Sequence, residues 1–191
     1  MFDTEGFIAD CRDALAADRG GARAVREVVA RAVSDPDALV RALGEPRRAG
    51  LNVLHHAPDL TVLNLVWGPG MGVMPHNHRV AAAIGIYTGR EDNRFWRRVG
   101  AGEDGAGGRI EVAGGKTIGE RECAVLGRDI IHSVTNPLSL LTGAIHVYWG
   151  GDFFAEGKSE WDPETLRERP YDKEKVARLF EESNIAVAGA R

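Results

Sequence analysis

Between positions 51 and 149 the chain is cut into apolar runs too short for helices, separated at close intervals by glycine, proline and aspartate. This rhythm restricts the fold more than any other feature. Short runs rich in β-branched and aromatic residues, bounded by turn residues, read as strands. Many in succession build an antiparallel sandwich or barrel. The runs cover residues 51–56 (closed by Ala57-Pro58-Asp59), 60–67, 81–87 (closed by Thr88-Gly89), 94–99, 109–112, 123–126, 132–135 and 141–149. A glycine-rich turn is expected over 100–108.

The flanks follow a different period. Phe7, Ile8, Cys11 and Leu15 fall on one helical stripe, which Gly20-Gly21 breaks. Ala24, Val25, Val28, Val29, Ala32 and Val33 form a second. Ser34-Asp35-Pro36 has the composition of an N-cap with proline in the first turn, opening a third short helix that runs to Leu43 and stops at Gly44-Glu45-Pro46. After the strands, Trp161-Asp162-Pro163 and Pro170-Tyr171 read as extended. Residues 172–183 read as a helix with Val176, Leu179 and Phe180 on its apolar side, and 186–191 as a frayed end. The expected organisation is one mostly β domain: a helical segment over 1–46, a β-barrel over 50–155 and an extension with a short helix over 156–191.

With 191 residues, 43% of them hydrophobic, the chain is long enough to bury a sizeable core. The net charge is −4 and no basic stripe interleaves with aromatics, so nucleic acid is not an expected partner. No apolar run approaches the roughly 20 residues needed to span a bilayer, and no membrane partner is expected. The acidic start Met1-Phe2-Asp3-Thr4-Glu5 lacks a signal-peptide core. Two cysteines in unrelated contexts do not make a disulfide framework, and a cytoplasmic location is the expectation.

The chemistry concentrates in the run from Trp67 to His78. His76 and His78, two apart on a strand, project from the same face and can grip one ion together. A third histidine, His132, opens the short run 132–135 and can face that pair across a barrel. Three neutral imidazoles suit Fe, Zn, Ni or Cu and leave positions open for other ligands. His55 and His56 alternate across a strand, so at most one of them faces any pocket. Trp67, Trp96 and Trp149 read as core or pocket wall, Cys123 as a small buried hydrophobe, and Arg79 as a rim residue.

The layout resembles the cupin superfamily, whose first motif is roughly Gly-x5-His-x-His-x(3,4)-Glu-x6-Gly. Gly70 opens it here, His76 and His78 are the pair, and Gly89 closes it, while the glutamate position falls at Ala82 or Ala83. The second cupin motif ends His-x3-Asn, matched by His132 and Asn136. Its usual proline and glycine are replaced in Gly127-Arg128-Asp129. Three histidines without the glutamate are similar to the thiol dioxygenases typified by cysteine dioxygenase. The Trp-Gly-x-Gly-x-Gly-x-x-x-His-x-His pattern from Trp67 to His78 resembles that family's first motif. Ala144-Ile145-His146-Val147-Tyr148 resembles its Ser-x-His-x-Tyr strand with alanine in place of serine. The resemblance covers about residues 50–160.

It implies a cupin double-stranded β-helix (jelly-roll) barrel carrying Fe(II) on His76, His78 and His132, with Ni, Zn or Cu also accepted by such a site. His146 and Tyr148 would be the catalytic pair, O2 the co-substrate and a small thiol the partner, oxidised to a sulfinate; a monomer is slightly favoured. The family's substrate-binding arginine maps to Gly50 or Leu51, with Arg47 and Arg48 nearby, and the cysteine of its Cys-Tyr crosslink maps to Ala83. Two other readings stay open: a three-histidine cupin dioxygenase acting on a non-thiol substrate such as a diketone, and a non-catalytic metal-binding cupin.

Overall fold

The computed structural model describes residues 2–17, 21–100 and 109–189. Three helices come first, α1 (Thr4–Ala17), α2 (Ala22–Val33) and α3 (Pro36–Leu43). Strands follow: β1 (Gly50–His56), β2 (Leu60–Trp67), β3 (Gly72–Asn77), β4 (Ala81–Thr88), β5 (Arg90–Val99), β6 (Arg109–Gly119), β7 (Cys123–Leu126), β8 (Ile131–Thr135), β9 (Thr142–Trp149), β10 (Ser159–Trp161) and β11 (Glu168–Pro170). Helix α4 (Lys173–Gly189) closes the described chain.

The strands lie in two antiparallel sheets, ordered β1-β2-β9-β4-β7 and β11-β10-β3-β8-β5-β6. Their pairing is nested: β5 with β6, β4 with β7, β3 with β8 and β2 with β9. That is one long hairpin rolled up, so that all but one of the steps from β2 to β9 change sheet. Closure comes from β4 pairing with β9 and β5 with β8. This is the double-stranded β-helix, or jelly roll, that the sequence leads one to expect, with helices at both ends of the chain.

The long buried runs of β2 and β9 follow from the layering. Both strands are buried along their whole length. On the inner face, Leu63, Leu65 and Trp67 of β2 meet Ala144 and Tyr148 of β9 and Ile84 of β4. On the outer face, Val62, Ala83, Ile145 and Val147 pack against Phe7 and Cys11 of α1 and Val25, Val29 and Val33 of α2. A strand covered on both sides has no polar alternation to display. Helix α2 lies so close to β4 that a Cβ at Gly85 would sit 2.6 Å from Val29 Cγ1 and 2.7 Å from Val33 Cγ1. Both valines have stiff branched side chains, so glycine is required there.

Helix α3 starts as anticipated: the Asp35 side chain accepts from Ala38 N at 3.1 Å, with Pro36 in the first turn. Three boundaries need correction. Strand β5 begins at Arg90 rather than 94, because the charged stretch 90–94 pairs with β6 and, from Asp92 on, with β8 as well. Strand β6 continues through Gly114 and Gly115 to Gly119 instead of stopping at 112, held by its partner β5. Helix α4 runs to Gly189, past the expected end at 183. It is stapled to the residue before β1 by Asn184, which accepts from Ala49 N at 2.8 Å and donates to Ala49 O at 3.0 Å. Of the expected turn over 100–108, residues 101–108 lie outside the described residues. Among the described residues, no helix is long and apolar enough to cross a membrane.

Candidate metal centre

His76, on β3, and His132, on β8, are direct cross-strand partners. The expectation that His78 shares the strand with His76 needs correction. Strand β3 ends at Asn77, and Arg79 just beyond has φ 59°. All three rings nevertheless meet inside the barrel. His78 Nε2 lies 3.0 Å from His76 Nε2 and 3.3 Å from His132 Nε2, and ligand atoms of all three fall within 4.8 Å of one another.

Proton placement leaves these nitrogens free to act as ligands. His76 Nδ1 donates to Met74 O at 2.9 Å, and His132 Nδ1 donates to Asn93 Oδ1 at 2.8 Å. Each neutral ring therefore turns an Nε2 lone pair toward the shared centre. Burial holds His76 down to about pKa 4. His78 and His132 are held well below the ordinary histidine value, first by burial and then by the neighbouring rings. Neutral lone pairs converging in a dry space repel one another, and a divalent cation between them satisfies all three. Nitrogens separated by 3.0 and 3.3 Å are close enough to share one ion at bonds of about 2.1 Å each. The site therefore fits a metal ion. His78 Nδ1 is buried with no hydrogen-bond partner among the described residues.

The opposite sheet brings His146 and Tyr148 to the same space. Both project from the inner face of β9, and the Tyr148 ring stands edge-on to His78 with centroids 5.0 Å apart. Tyr148 Oη lies 2.9 Å from His146 Nδ1, and His146 Nε2 lies 3.2 Å from Glu91 Oε1. Glu91 is fully buried and also accepts from Trp67 Nε1 at 2.5 Å. Its other oxygen faces Asn93 Nδ2 at 3.5 Å, which leaves Asn93 Oδ1 for His132. One buried carboxylate thus orients the Tyr148–His146 pair and, through Asn93, His132. Burial, with Glu91 adding to it, pushes the Tyr148 phenol well above its ordinary pKa, so it keeps its proton.

The residues that sequence reasoning missed are Glu91 and Asn93. They sit in the string Arg90-Glu91-Asp92-Asn93-Arg94, whose charge density suggests solvent. A signal was present: Glu91, Asn93 and Phe95 alternate at i, i+2 and i+4, so one face of β5 carries a glutamate, an asparagine and a core aromatic. Ala144 stands where the resembled motif has serine, and the second nitrogen of His146 is met by Glu91 instead.

These groups line a cavity of about 50 Å³, walled by Trp67, Phe153, Tyr171, Val176 and Phe180, with Leu51 and Lys158 also at its lining. A single water needs roughly 10–15 Å³, so the space suits a molecule of a few heavy atoms. Neither His55 nor His56 reaches it. His55 Nε2 faces Arg12 Nη2 at 3.1 Å, and His56 Nε2 faces Asp152 Oδ1 at 3.0 Å. Arg48 pairs with Glu181 on the surface and Arg47 is exposed, so neither arginine lines the cavity. Arg79 donates to Gly157 O at 2.7 Å. Cys11 and Cys123 are free and buried, with thiols pushed up to about 12 and about 11 by burial.

No protein-family model matches the sequence, and no curated protein matches it significantly. Among solved structures, a Bacillus halodurans protein aligns over 61% of this chain and 78% of its own, at 14% identity and TM-score 0.46. An RmlC-like cupin family protein with a double-stranded β-helix fold from Methanocaldococcus jannaschii aligns over 56% of this chain and 84% of its own, at 10% identity and TM-score 0.45. A variant of Bacillus subtilis oxalate decarboxylase aligns over 50% of this chain at 19% identity and TM-score 0.37; the chain spans about a fifth of that protein, 22% of its length.

Proposed function

We propose that the protein is a mononuclear non-haem iron enzyme that adds both atoms of O2 to the sulfur of a small thiol, giving a sulfinate. The observation that carries this reading is the donor set. Three neutral imidazole nitrogens face one point with no carboxylate among them, and a protonated tyrosine stands over them from the opposite sheet. Fe(II) bound there would supply a centre where thiolate and O2 meet. With neutral donors such an ion would keep its full positive charge and would favour an anionic sulfur ligand. The reaction balances without an outside reductant: sulfur gives up four electrons, O2 takes four, and two S–O bonds form.

The chain's own residues then have defined tasks. His76, His78 and His132 hold the ion. Trp67, Phe153 and Phe180 exclude bulk water. Tyr148 presents its hydroxyl to the reacting groups, and His146 fixes its direction. The contacts of His146 with Glu91 and with Tyr148 Oη fix the phenol oxygen beside the three histidines. The test is oxygen uptake by iron-loaded protein with a panel of small thiols and, beside it, a 1,3-dicarbonyl. Uptake with a thiol and formation of its sulfinate support the proposal. Uptake with the dicarbonyl alone, or metal binding without uptake for any compound, overturns it.

A further inference from the structure

The cavity holds a cation with no assigned task. Among the described residues, Lys158 is the sole lysine or arginine lining it. Its ammonium rests 4.5 Å from the centroid of the Phe153 ring and 5.3 Å from that of Tyr171. It donates one hydrogen bond, to Phe153 O at 2.7 Å, and among the described residues no carboxylate lies within 4.0 Å of it. The nearby acids are occupied. Glu160 is taken by Arg169 at 2.8 Å, Lys175 at 3.2 Å and Asp172 N at 3.1 Å. Asp152 Oδ1 accepts from Phe154 N at 2.8 Å and faces His56. Glu91 is engaged by Trp67 and His146.

The position of Lys158 is built by the histidine segment itself. Asn77, between the two metal-facing histidines, accepts from Ser159 N at 2.9 Å. Arg79, one residue past His78, holds Gly157 O. Lys158 O accepts from Tyr171 N at 3.1 Å. Residues on both sides of Lys158 are therefore pinned to the end of β3 and the residues just past it, and its charge is felt at both His76 and His78. Lys158 is half-buried, and burial lowers its pKa, with the charge of Asp152 opposing that shift and that of Lys173 adding to it. Two aromatic faces and one carbonyl do not replace a hydration shell, and two ammonium protons remain to be satisfied.

We propose that Lys158 is the anchor for a carboxylate or similar anionic group on the substrate, so that the site takes a short anionic molecule whose other end reaches the three histidines. This rests on the preceding reading only for the identity of that other end. The small cavity sets a short separation between the two ends, and the aromatic faces of Phe153 and Tyr171 strengthen the ion pair by excluding water.

The experiment is equilibrium binding to metal-loaded protein without oxygen, measured by calorimetry with two matched pairs: mercaptoacetate against 2-mercaptoethanol, and propionate against propionamide. The carboxylate member of each pair is expected to bind about tenfold or more tightly. In Lys158→Gln that preference disappears while the neutral members keep their affinity, and Lys158→Arg retains most of it. The anchor is overturned if the wild type has no carboxylate preference, if Lys158→Gln keeps it, or if no compound binds. Carboxylate preference in both pairs with no gain from sulfur sustains the anchor and removes the thiol reading. A gain from sulfur with no carboxylate preference does the reverse.

Discussion

Asn93 makes no contact with the proposed metal position, yet it should control metal affinity. Its Oδ1 is the acceptor for His132 Nδ1 at 2.8 Å, and both residues are buried. Replacing Asn93 by leucine preserves bulk and removes the acceptor. An orphaned buried N–H costs about 1–3 kcal/mol, and the ring loses the restraint that keeps its proton off Nε2. At about 1.4 kcal/mol per tenfold, this corresponds to a loss of roughly five- to 150-fold. That overlaps the 10–100-fold typical when a partner behind a metal-bound histidine is removed. The assay is chelator competition for Zn(II) and, without oxygen, Fe(II), with the melting temperature of the metal-free protein as a control for folding. A folded Asn93→Leu variant whose affinity stays within twofold of wild type would refute the claim that this hydrogen bond sets the tautomer of His132.

Three further outcomes are expected. His76→Ala should lose stoichiometric metal, and full retention by elemental analysis would sink its assignment as a ligand. Tyr148→Phe should keep the metal and slow turnover by about a hundredfold, the usual effect of removing one preorganised donor; a wild-type rate would exclude a role for its hydroxyl. For the metal-free chain, stability should fall with acidification. His76 is held at about 4 when folded, against 6.5 in the unfolded chain. The unfolded state therefore binds more protons across that window, and stability is full above pH 6.5 and declines toward pH 4. A denaturation midpoint that is flat between those values would contradict the burial of neutral imidazoles.

How much of this was legible in the sequence follows from where each residue sits. His76, His78, His132, His146 and Tyr148 could be found because they occupy local patterns at fixed spacings. The strands β2 and β9 could be found because they are mostly apolar and end at turn residues. Glu91 and Asn93 were hidden because their strand alternates between charges facing solvent and polar groups facing the site, and a charged string looks the same in both cases. Lys158 was hidden for a different reason. Its proximity to the histidines depends on β10 pairing with β3 and on the Asn77 and Arg79 staples, which join parts of the chain about eighty residues apart. Phe180 stacks on Trp67 with centroids 5.6 Å apart, yet its helix announces only an amphipathic stripe, not the cavity that it covers.

The central claim is most directly tested by the fate of isotopically labelled oxygen. Iron-loaded protein is supplied with 18O2 and a short thiol, and the product is weighed by mass spectrometry. The account predicts a sulfinate carrying two labelled oxygens, formed one for one with the O2 consumed, and no product when His132 is replaced by alanine. A disulfide as the only product, a sulfinate labelled at one oxygen or none, or undiminished product from His132→Ala would contradict it.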